Sequence, residues 1–276
     1  MEATTRFFWW INERHSIYNK RKAGLPREQW TDDRILKTYR FTNPFRENDK
    51  TTVWFRENMR DPLKDDNKVM LATVIFRWFN LIETGQTLLD NNLHIQWDSE
   101  LARSEIKKQN KYVTGGYIIK TPDGMDKVDG VIWCVERVLK DENRIIDRLD
   151  KMDTLKEAWS MFLEYPYLGA FMSYELITDL RHTHFLNTAK DIHGWANAGP
   201  GAMRGLNRIH GRDLNYKRKS HPWNDEMLKL LELSRNWFGS SFPVLEMRDI
   251  EHSLCEFDKY ERVRNGEGAP RGRFSI

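Results

Sequence analysis

The chain has few cysteines and no long apolar run. Only two of its 276 residues are cysteines, Cys134 and Cys255, and they form neither a CxxC pair nor a His/Cys spacing that suits zinc. The apolar patch near the N-terminus is short and soon followed by charge, and no run of about 18 apolar residues occurs. We therefore expect a cytoplasmic protein with no structural metal, no signal peptide and no membrane contact.

Several motifs of common enzymes are also missing. The sequence has no GxxxxGK[ST] motif, which excludes a nucleoside-triphosphate P-loop. It has neither a GxSxG nucleophile elbow nor an HExxH metal pair. It also shows no internal repeat, and we expect no cofactor.

The net charge is small, because 44 basic and 41 acidic residues leave +3. Any attraction to nucleic acid must therefore come from local clusters, which lie at 34–46, 204–219 and 262–273. The 11 tryptophans, 14 phenylalanines and 9 tyrosines suit a bulky core, or platforms on which exposed bases stack.

Apolar residues recur at helical spacing along most of the chain, with hardly any strand-like alternation. Residues 69–83 are apolar on almost every side and predict a buried central helix. Thr31 is expected to cap a helix that carries Ile35 and Leu36 inward. We predict an all-α protein, and the length allows one large helical domain or two lobes around a cleft.

The stretch "AGPGAMRG", residues 198–205, carries three glycines. Gly199, Pro200 and Gly201 are predicted to join a short helix to a second helix, whose first backbone amides can donate to a phosphate. Arg204 follows one turn later. The pattern is typical of a helix-hairpin-helix grip on the DNA backbone, and also of a plain turn between helices.

The segment "RDIEHSLCEFDKYERV", residues 248–263, is dense in ionisable side chains. On a helix, Glu251, Cys255 and Asp258 share one face, and His252 and Glu256 share the next. A carboxylate at the start of this helix suits a DNA-modifying enzyme as a base or charge stabiliser. Ordinary helix-surface contacts explain the same spacing.

Two other helices carry candidate residues. Arg14 and Arg21 lie on one face of the first helix, where they can clamp a phosphate, and His15 lies beside them as a catalytic candidate or a packed hydrogen-bonding group. Glu175 and Asp179 are four residues apart on an otherwise apolar helix, so they can divide acid and base roles. An ion pair with a core arginine is the competing interpretation.

Four stretches together resemble a known family: "WWINERHSIYNKRKAG", "WTDDRILKTYRFTNPFRENDKTT", "AGPGAMRGLNRIHGR" and "EHSLCEFDKYERVRNGEG". They are similar to the α-glutamyl/putrescinyl thymine pyrophosphorylases, or amino acid:DNA transferases, whose helical domain also accompanies 5-hydroxymethyluracil DNA kinases of bacterial viruses. The likeness spans nearly the whole chain. It implies a DNA glycosylase-like helical fold with a helix-hairpin-helix motif, at work in the cytoplasm of an infected host.

The resemblance also implies a reaction. A separate kinase phosphorylates or pyrophosphorylates 5-hydroxymethyluracil in viral DNA, and the amine of an amino acid or polyamine then displaces the (pyro)phosphate. The absent P-loop makes the chain look like the second enzyme. The implied partners are double-stranded DNA with modified thymine, the amine, and a functional link to the kinase. The modified base would flip out of the stack to react.

The candidate residues fall into three groups. Met203 stands where bifunctional glycosylases have a lysine, which speaks against Schiff-base lyase chemistry. The catalytic candidates are Glu251, Asp179, His252 and His15, with Glu251 or Asp179 as the base. The residues expected to bind the substrate phosphate are Arg14, Arg21 and Arg46. The residues expected to bind DNA are Arg40, Asn43, Gly199, Pro200, Gly201, Arg204 and Arg208.

Two rival functions remain open. One is a DNA base glycosylase of the helix-hairpin-helix class, and the other is a non-catalytic DNA-binding module that recruits a modification enzyme. We expect a single helical domain over residues 1–264, with the hairpin motif at about 188–210 and a flexible tail over 265–276.

Overall fold

The structure, a computed structural model, describes residues 2–274. Every regular element in that range is helical, apart from an isolated antiparallel bridge between Tyr39 and Arg273. The all-α prediction is therefore confirmed. No helix within residues 2–274 has the length and apolar character needed to cross a membrane.

The described residues form helices of 5 to 20 residues. In chain order they are α1 (Ala3–Lys22), α2 (Arg34–Thr38), α3 (Lys50–Phe55), α4 (Lys68–Phe79), α5 (Ile82–Asp90), α6 (Ser99–Ile106), α7 (Lys127–Leu139), α8 (Glu142–Leu149), α9 (Leu155–Phe162), α10 (Ala170–Leu180), α11 (Pro200–Ile209), α12 (Trp223–Trp237) and α13 (Met247–Arg264). Short 3-10 turns cover Arg27–Gln29 and Arg46–Asn48, and one π-helical turn covers Arg56–Arg60.

The chain divides into two compact units. The first combines Met1–Asp49 with Ile192–Ile276, and the second is Lys50–Asp191. The first unit therefore holds α1, α2 and α11 to α13, and the second holds α3 to α10. The predicted single domain over 1–264 and the cleft between two lobes stay predictions.

In the first unit, α1 turns its aromatic face inward. Phe7 is fully buried, and its ring meets the edge of Phe257 on α13 at 5.4 Å between centroids. The short helix α2 is capped by Asp33, whose carboxylate accepts from the Leu36 backbone amide at 2.8 Å. The predicted cap, Thr31, instead accepts from the Asp33 amide. The start of α2 was thus predicted two residues too early.

The helices α11 and α13 pack closely because glycine lines their contact. A Cβ atom at Gly201 would collide with the Cys255 side chain, and one at Gly205 would collide with the carbonyl oxygen of Leu254. Both glycines are thus needed for helix packing. The predicted helix before Gly199 is wrong, because residues 184–194 form successive turns and 195–199 are irregular.

The predicted tail pairs with the segment after α2. The amide of Arg40 donates to the Gly272 carbonyl and the amide of Phe274 donates to the Thr38 carbonyl, both at 3.0 Å. Ser275 and Ile276, which the predicted tail includes, lie outside the described residues. The flexibility of 265–276 stays a prediction.

In the second unit, α4 is the central helix. Its residues from Val69 to Phe79 are all buried, which confirms the prediction of a buried helix here. The helix ends at Asn80, which adopts the left-handed conformation at φ 47°. The predicted run to residue 83 is therefore two helices, with α5 starting at Ile82.

Arg77 of α4 brings a charge into this core and pairs with Asp179 of α10. Its guanidinium donates to the two carboxylate oxygens of Asp179 at 2.6 and 2.9 Å, and both side chains are at most 1% exposed. Arg60 lies 3.5 Å from the same carboxylate. This geometry places Asp179 in the core ion pair that was the competing interpretation, and its role as a catalytic base stays a prediction. The nearby Glu175 is also buried and accepts from the Tyr117 hydroxyl.

We predict that Gly205→Ala destabilises the protein by about 1–3 kcal/mol, because the new methyl group would overpack the contact between α11 and α13. The control is Gly239→Ala, since no atom lies within 4 Å of a Cβ built there. Urea unfolding of the two variants compares them directly. Equal stabilities would contradict the packing role of Gly205.

We also predict that Asp179→Asn lowers the free energy of unfolding by about 3 kcal/mol or more, because Arg77 and Arg60 would remain buried without their shared carboxylate. The exposed Asp147 of the same unit provides the control Asp147→Asn, with an expected change within about 0.5 kcal/mol. Chemical denaturation checks both. A mild effect at Asp179 would mean that this ion pair does not stabilise the core.

Candidate functional site

Three candidate residues from distant parts of the chain contribute to one polar cluster in the first unit. The centre of this cluster is the segment 41–49, with a residue of α1 on one side and a residue of α13 on the other. On the α1 side, the buried Arg14 donates to the Phe41 carbonyl from Nε at 3.3 Å and from Nη2 at 3.0 Å. Burial lowers the pKa of Arg14 to about 10, a shift that nearby Asp49 opposes, so the side chain stays cationic near neutral pH.

Asp49 joins the other two candidates. Its Oδ1 accepts from the Asn43 amide at 2.8 Å and from Asn43 Nδ2 at 3.0 Å, which fixes the turn over residues 43–49. Its Oδ2 lies 3.5 Å from Nε2 of His252, on α13. We call Arg14, Thr42, Asn43, Asp49 and His252 the Asp49 cluster.

Glu256 ties the segment to α13 one turn beyond His252. Its buried carboxylate accepts from the Thr42 amide at 3.1 Å and is paired with Lys259. The contact with Thr42 holds the segment against the helix, so Glu256 fixes the place of Asn43 and Asp49 relative to His252. Neither Asp49 nor Glu256 was predicted as a site residue, although both lie in the stretches that carry the family resemblance.

The Asp49 cluster contains buried polar atoms without a partner. Four such atoms have no hydrogen bond within residues 2–274: Arg14 Nη1, Thr42 Oγ1, Asn43 Oδ1 and His252 Nε2. Buried polar groups are nearly always paired in native proteins, since an unpaired one costs about 1–3 kcal/mol. Donors and acceptors concentrated in this way suit the binding of a polar ligand.

A pocket of about 450 Å³ adjoins this region of α1. One side is a polar face of α1 with Asn12, His15 and Asn19, and the other is the segment 237–243 with Trp237 and Phe242. Pockets of this size, with aromatic walls and a few polar groups, suit small organic ligands such as a nucleobase.

His15 is a half-buried polar group of the pocket. Its ring lies edge-on to Phe45 and Phe242 at centroid distances of 5.1 and 5.0 Å, and its Nδ1 is buried without a partner in the described part of the chain. Burial, and then the charge of Arg14, lower the pKa of His15. The ring is therefore held neutral, and it can accept or donate a hydrogen bond.

Glu251 lies at the N-terminus of α11 instead of in the Asp49 cluster. It is 8% exposed, its Oε1 is 3.6 Å from the Cβ position of Gly199, and Oε2 lies 3.3 Å from Nη1 of Arg248. A carboxylate there is stabilised by the helix dipole. A DNA phosphate at Gly199, Pro200 and Gly201 would have to compete with this internal anion, so the predicted grip of these three residues stays a prediction.

The predicted DNA-binding arginines of α11 are in ion pairs. Arg204 and Arg208 donate to opposite oxygens of Asp258 on α13 at 3.0 and 2.7 Å, and Arg208 also pairs with Glu267 at 2.6 Å. These contacts stabilise the packing of α11 on α13. They leave Arg208, whose side chain is 5% exposed, little capacity for a phosphate.

The remaining predicted cations differ in exposure. Arg21 and Arg40 are exposed, and their guanidinium groups lie over the Phe274 ring at 5.6 Å. No ion pair engages either one within residues 2–274, so both are open to an anion. Arg46 is instead buried in its 3-10 turn. Across the described residues, no group of three or more His, Cys, Asp or Glu side chains is arranged to hold a metal ion.

Comparison with known proteins finds a family and a phage relative that this chain resembles. The family described as "5-hmdU DNA kinase, helical domain" matches residues 1–269. The 5-hmdU DNA kinase of Bacillus phage SP10 is 24% identical over 294 residues, covering 92% of this chain and 44% of the phage protein. The chain thus spans less than half of that relative. No solved structure shows a significant match.

We predict that His15 makes stability depend on pH. The unfolded chain protonates this histidine near its ordinary pKa of about 6.5, whereas the folded chain resists protonation. The wild type should therefore lose stability as the pH falls through about 6.5, and a His15→Phe variant should lose less. Urea unfolding of the wild type and the variant at about pH 8 and about pH 5.5 measures their difference in stability at each pH. A difference in stability that is the same at both pH values would refute the lowered pKa of His15.

Proposed function

The chain belongs to the family of the 5-hmdU DNA kinase helical domain, and from that premise we propose that it acts on 5-hydroxymethyluracil-derived thymine in phage DNA, in the cytoplasm of the infected host. It covers 44% of its kinase relative and contains no GxxxxGK[ST] motif. These 276 residues contain no P-loop, so we propose for them a step that follows phosphorylation of the substrate.

The proposed step is transfer of an amine to the 5-methylene carbon of phosphorylated or pyrophosphorylated 5-hydroxymethyluracil. The nitrogen of an amino acid or polyamine forms a bond to that carbon while the bond from carbon to phosphate oxygen breaks. The electron pair of the broken bond leaves with the phosphate or pyrophosphate. The proton lost by the amine passes to a base on the protein.

The observation that carries this proposal is the Asp49 cluster, with His252 beside the Asp49 carboxylate and three further buried polar atoms that lack a hydrogen bond in the described part of the chain. His252 is our candidate for the base, and Asp49 would orient the imidazole and stabilise its protonated form. Arg14, cationic and with Nη1 unpaired, would stabilise the departing phosphate. Asn43 Oδ1 is free to accept from the amine or the base.

The pocket at His15 would hold the thymine-derived base outside the helix stack. Its aromatic walls offer stacking, and Asn12 and Asn19 offer amide groups that can pair with the polar edge of a pyrimidine. Arg21 and Arg40 would hold the flanking DNA backbone. Glu251 remains a second candidate for the base, at the N-terminus of α11.

A second candidate function is a DNA-recognition module that presents the base to a kinase. The name of the phage SP10 relative, combined with the missing P-loop of this chain, favours it. This function needs the pocket and the exposed cations, but it does not need His252 as a base.

The test of transfer is mass spectrometry of nucleosides from duplex DNA that contains 5-phosphomethyluracil or its pyrophosphorylated form, after incubation with the protein, amino acids and polyamines. We expect a nucleoside that carries one amine. His252→Gln should slow its formation by about 100-fold or more, because a general base contributes that much. His193→Gln, at an exposed histidine of the same unit, should leave the rate unchanged.

The outcomes separate the candidate functions. Free base and abasic DNA would identify a glycosylase. Unchanged DNA that the wild type nevertheless binds would favour the recognition module. Equal rates for His252→Gln and His193→Gln would refute the assigned base and leave transfer itself intact.

A further inference from the structure

The first unit carries three consecutive basic residues at its surface. Lys217, Arg218 and Lys219 are exposed, and no carboxylate in the described part of the chain pairs with them. They lie in residues 210–222, which join α11 to α12 and which we call the basic loop. The basic residues before them in sequence, Arg204, Arg208 and Arg212, are all in ion pairs.

Arg212 anchors the start of the basic loop. Its guanidinium donates to both carboxylate oxygens of Glu226 on α12 at 2.6 and 2.7 Å, and its Nε donates to Asn207 Oδ1 at 2.9 Å. It also lies over the Trp223 ring at 5.3 Å. A bidentate pair with ring stacking fixes an arginine firmly, so the loop begins from a rigid base.

Side chains also hold the loop backbone on either side of Lys217. The Asn207 amide donates to the Tyr216 carbonyl at 2.8 Å, and the Trp223 indole donates to the Arg218 carbonyl at 3.1 Å. Asn207 and Trp223 are both buried. The backbone that carries the three cations is thereby tied to the core of the unit, while their side chains reach solvent.

This anchoring distinguishes the loop from an ordinary solvated one. Fixing one backbone residue costs about 1–2 kcal/mol of conformational entropy, and a loop whose charges only face water needs no fixed shape. Here that cost is met during folding by the contacts of Arg212, Asn207 and Trp223. Binding of a partner to these fixed cations would therefore lose less conformational entropy than binding to a flexible loop.

We propose that Lys217, Arg218 and Lys219 form a preordered contact for the phosphate backbone of duplex DNA. This inference rests on the proposed function only for the identity of the polyanion as DNA. The contact would lie outside the reacting base and read no sequence, since contacts to phosphates position a protein on DNA without carrying sequence information. Asp213, the acidic residue of the loop, instead accepts from the Asn215 amide.

The salt dependence of DNA binding tests this contact. Each phosphate neutralised contributes about 0.9 to the slope of log affinity against log salt. The triple variant Lys217→Ala/Arg218→Ala/Lys219→Ala should therefore flatten the slope by about 2.7 between about 50 and 200 mM salt if all three cations contact phosphates. A flattening of about 2 would still support the inference.

The matched control is Lys151→Ala/Lys229→Ala/Arg235→Ala. It removes the same charges from exposed positions that have no ion pair in the described part of the chain. It should keep the slope of the wild type. Equal slopes for the two triple variants would overturn the loop contact but leave DNA as the substrate. A wild type that fails to bind duplex DNA at all would instead overturn the proposed function.

Limited trypsin cleavage gives an independent readout, because trypsin cuts after each of the three residues. Saturating duplex DNA should slow cleavage in the basic loop of the wild type and leave cleavage after the exposed Lys151 unchanged. Loop cleavage at the same rate with and without bound DNA would overturn the proposal.

Discussion

The close packing of α11 on α13 is the contact on which the first unit depends. Gly201 and Gly205 let the two helices approach until a methyl group would no longer fit between them. At that distance Arg204 and Arg208 both reach Asp258, and Glu251 reaches the N-terminus of α11. Since His252 follows Glu251 on α13, its position beside Asp49 is fixed by the same packing.

The chemistry of the first unit is divided between two environments. The Asp49 cluster is enclosed and keeps donors and acceptors unpaired, at a cost to folding that binding of a polar substrate can recover. The second environment is the surface, where Arg21, Arg40 and the cations of the basic loop are exposed to solvent. Because water hydrates these cations, they do not lower the stability of the fold. This division suits an enzyme that must hold a long polyanion while it acts on one small group.

Local patterns predicted the helices well, because burial of α1 and α4 follows directly from the spacing of apolar residues. Helical spacing selected Arg14 and the resemblance selected Asn43 and His252, and the structure brings these three residues into one cluster. The partners in the ion pairs could not be predicted, because they are far apart in the chain: Arg77 and Asp179 are separated by 102 positions, and Arg208 and Asp258 by 50. Asp49 was missed because a polar residue in a turn has no periodicity to mark it. The glycines of "AGPGAMRG" were predicted to approach a phosphate, whereas Gly201 and Gly205 approach a helix.

The buried ion pair in the second unit limits how this sequence can change during evolution. Arg77 and Arg60 share Asp179, and Arg60 also lies 3.2 Å from Asp61 at the surface. Neutral replacement of Asp179 alone leaves two buried arginines without their shared carboxylate, whereas a concerted replacement of all three by apolar residues leaves no buried charge unpaired. Relatives should therefore either keep the three residues together or lose them together, so that these positions covary even where the surrounding helices have diverged.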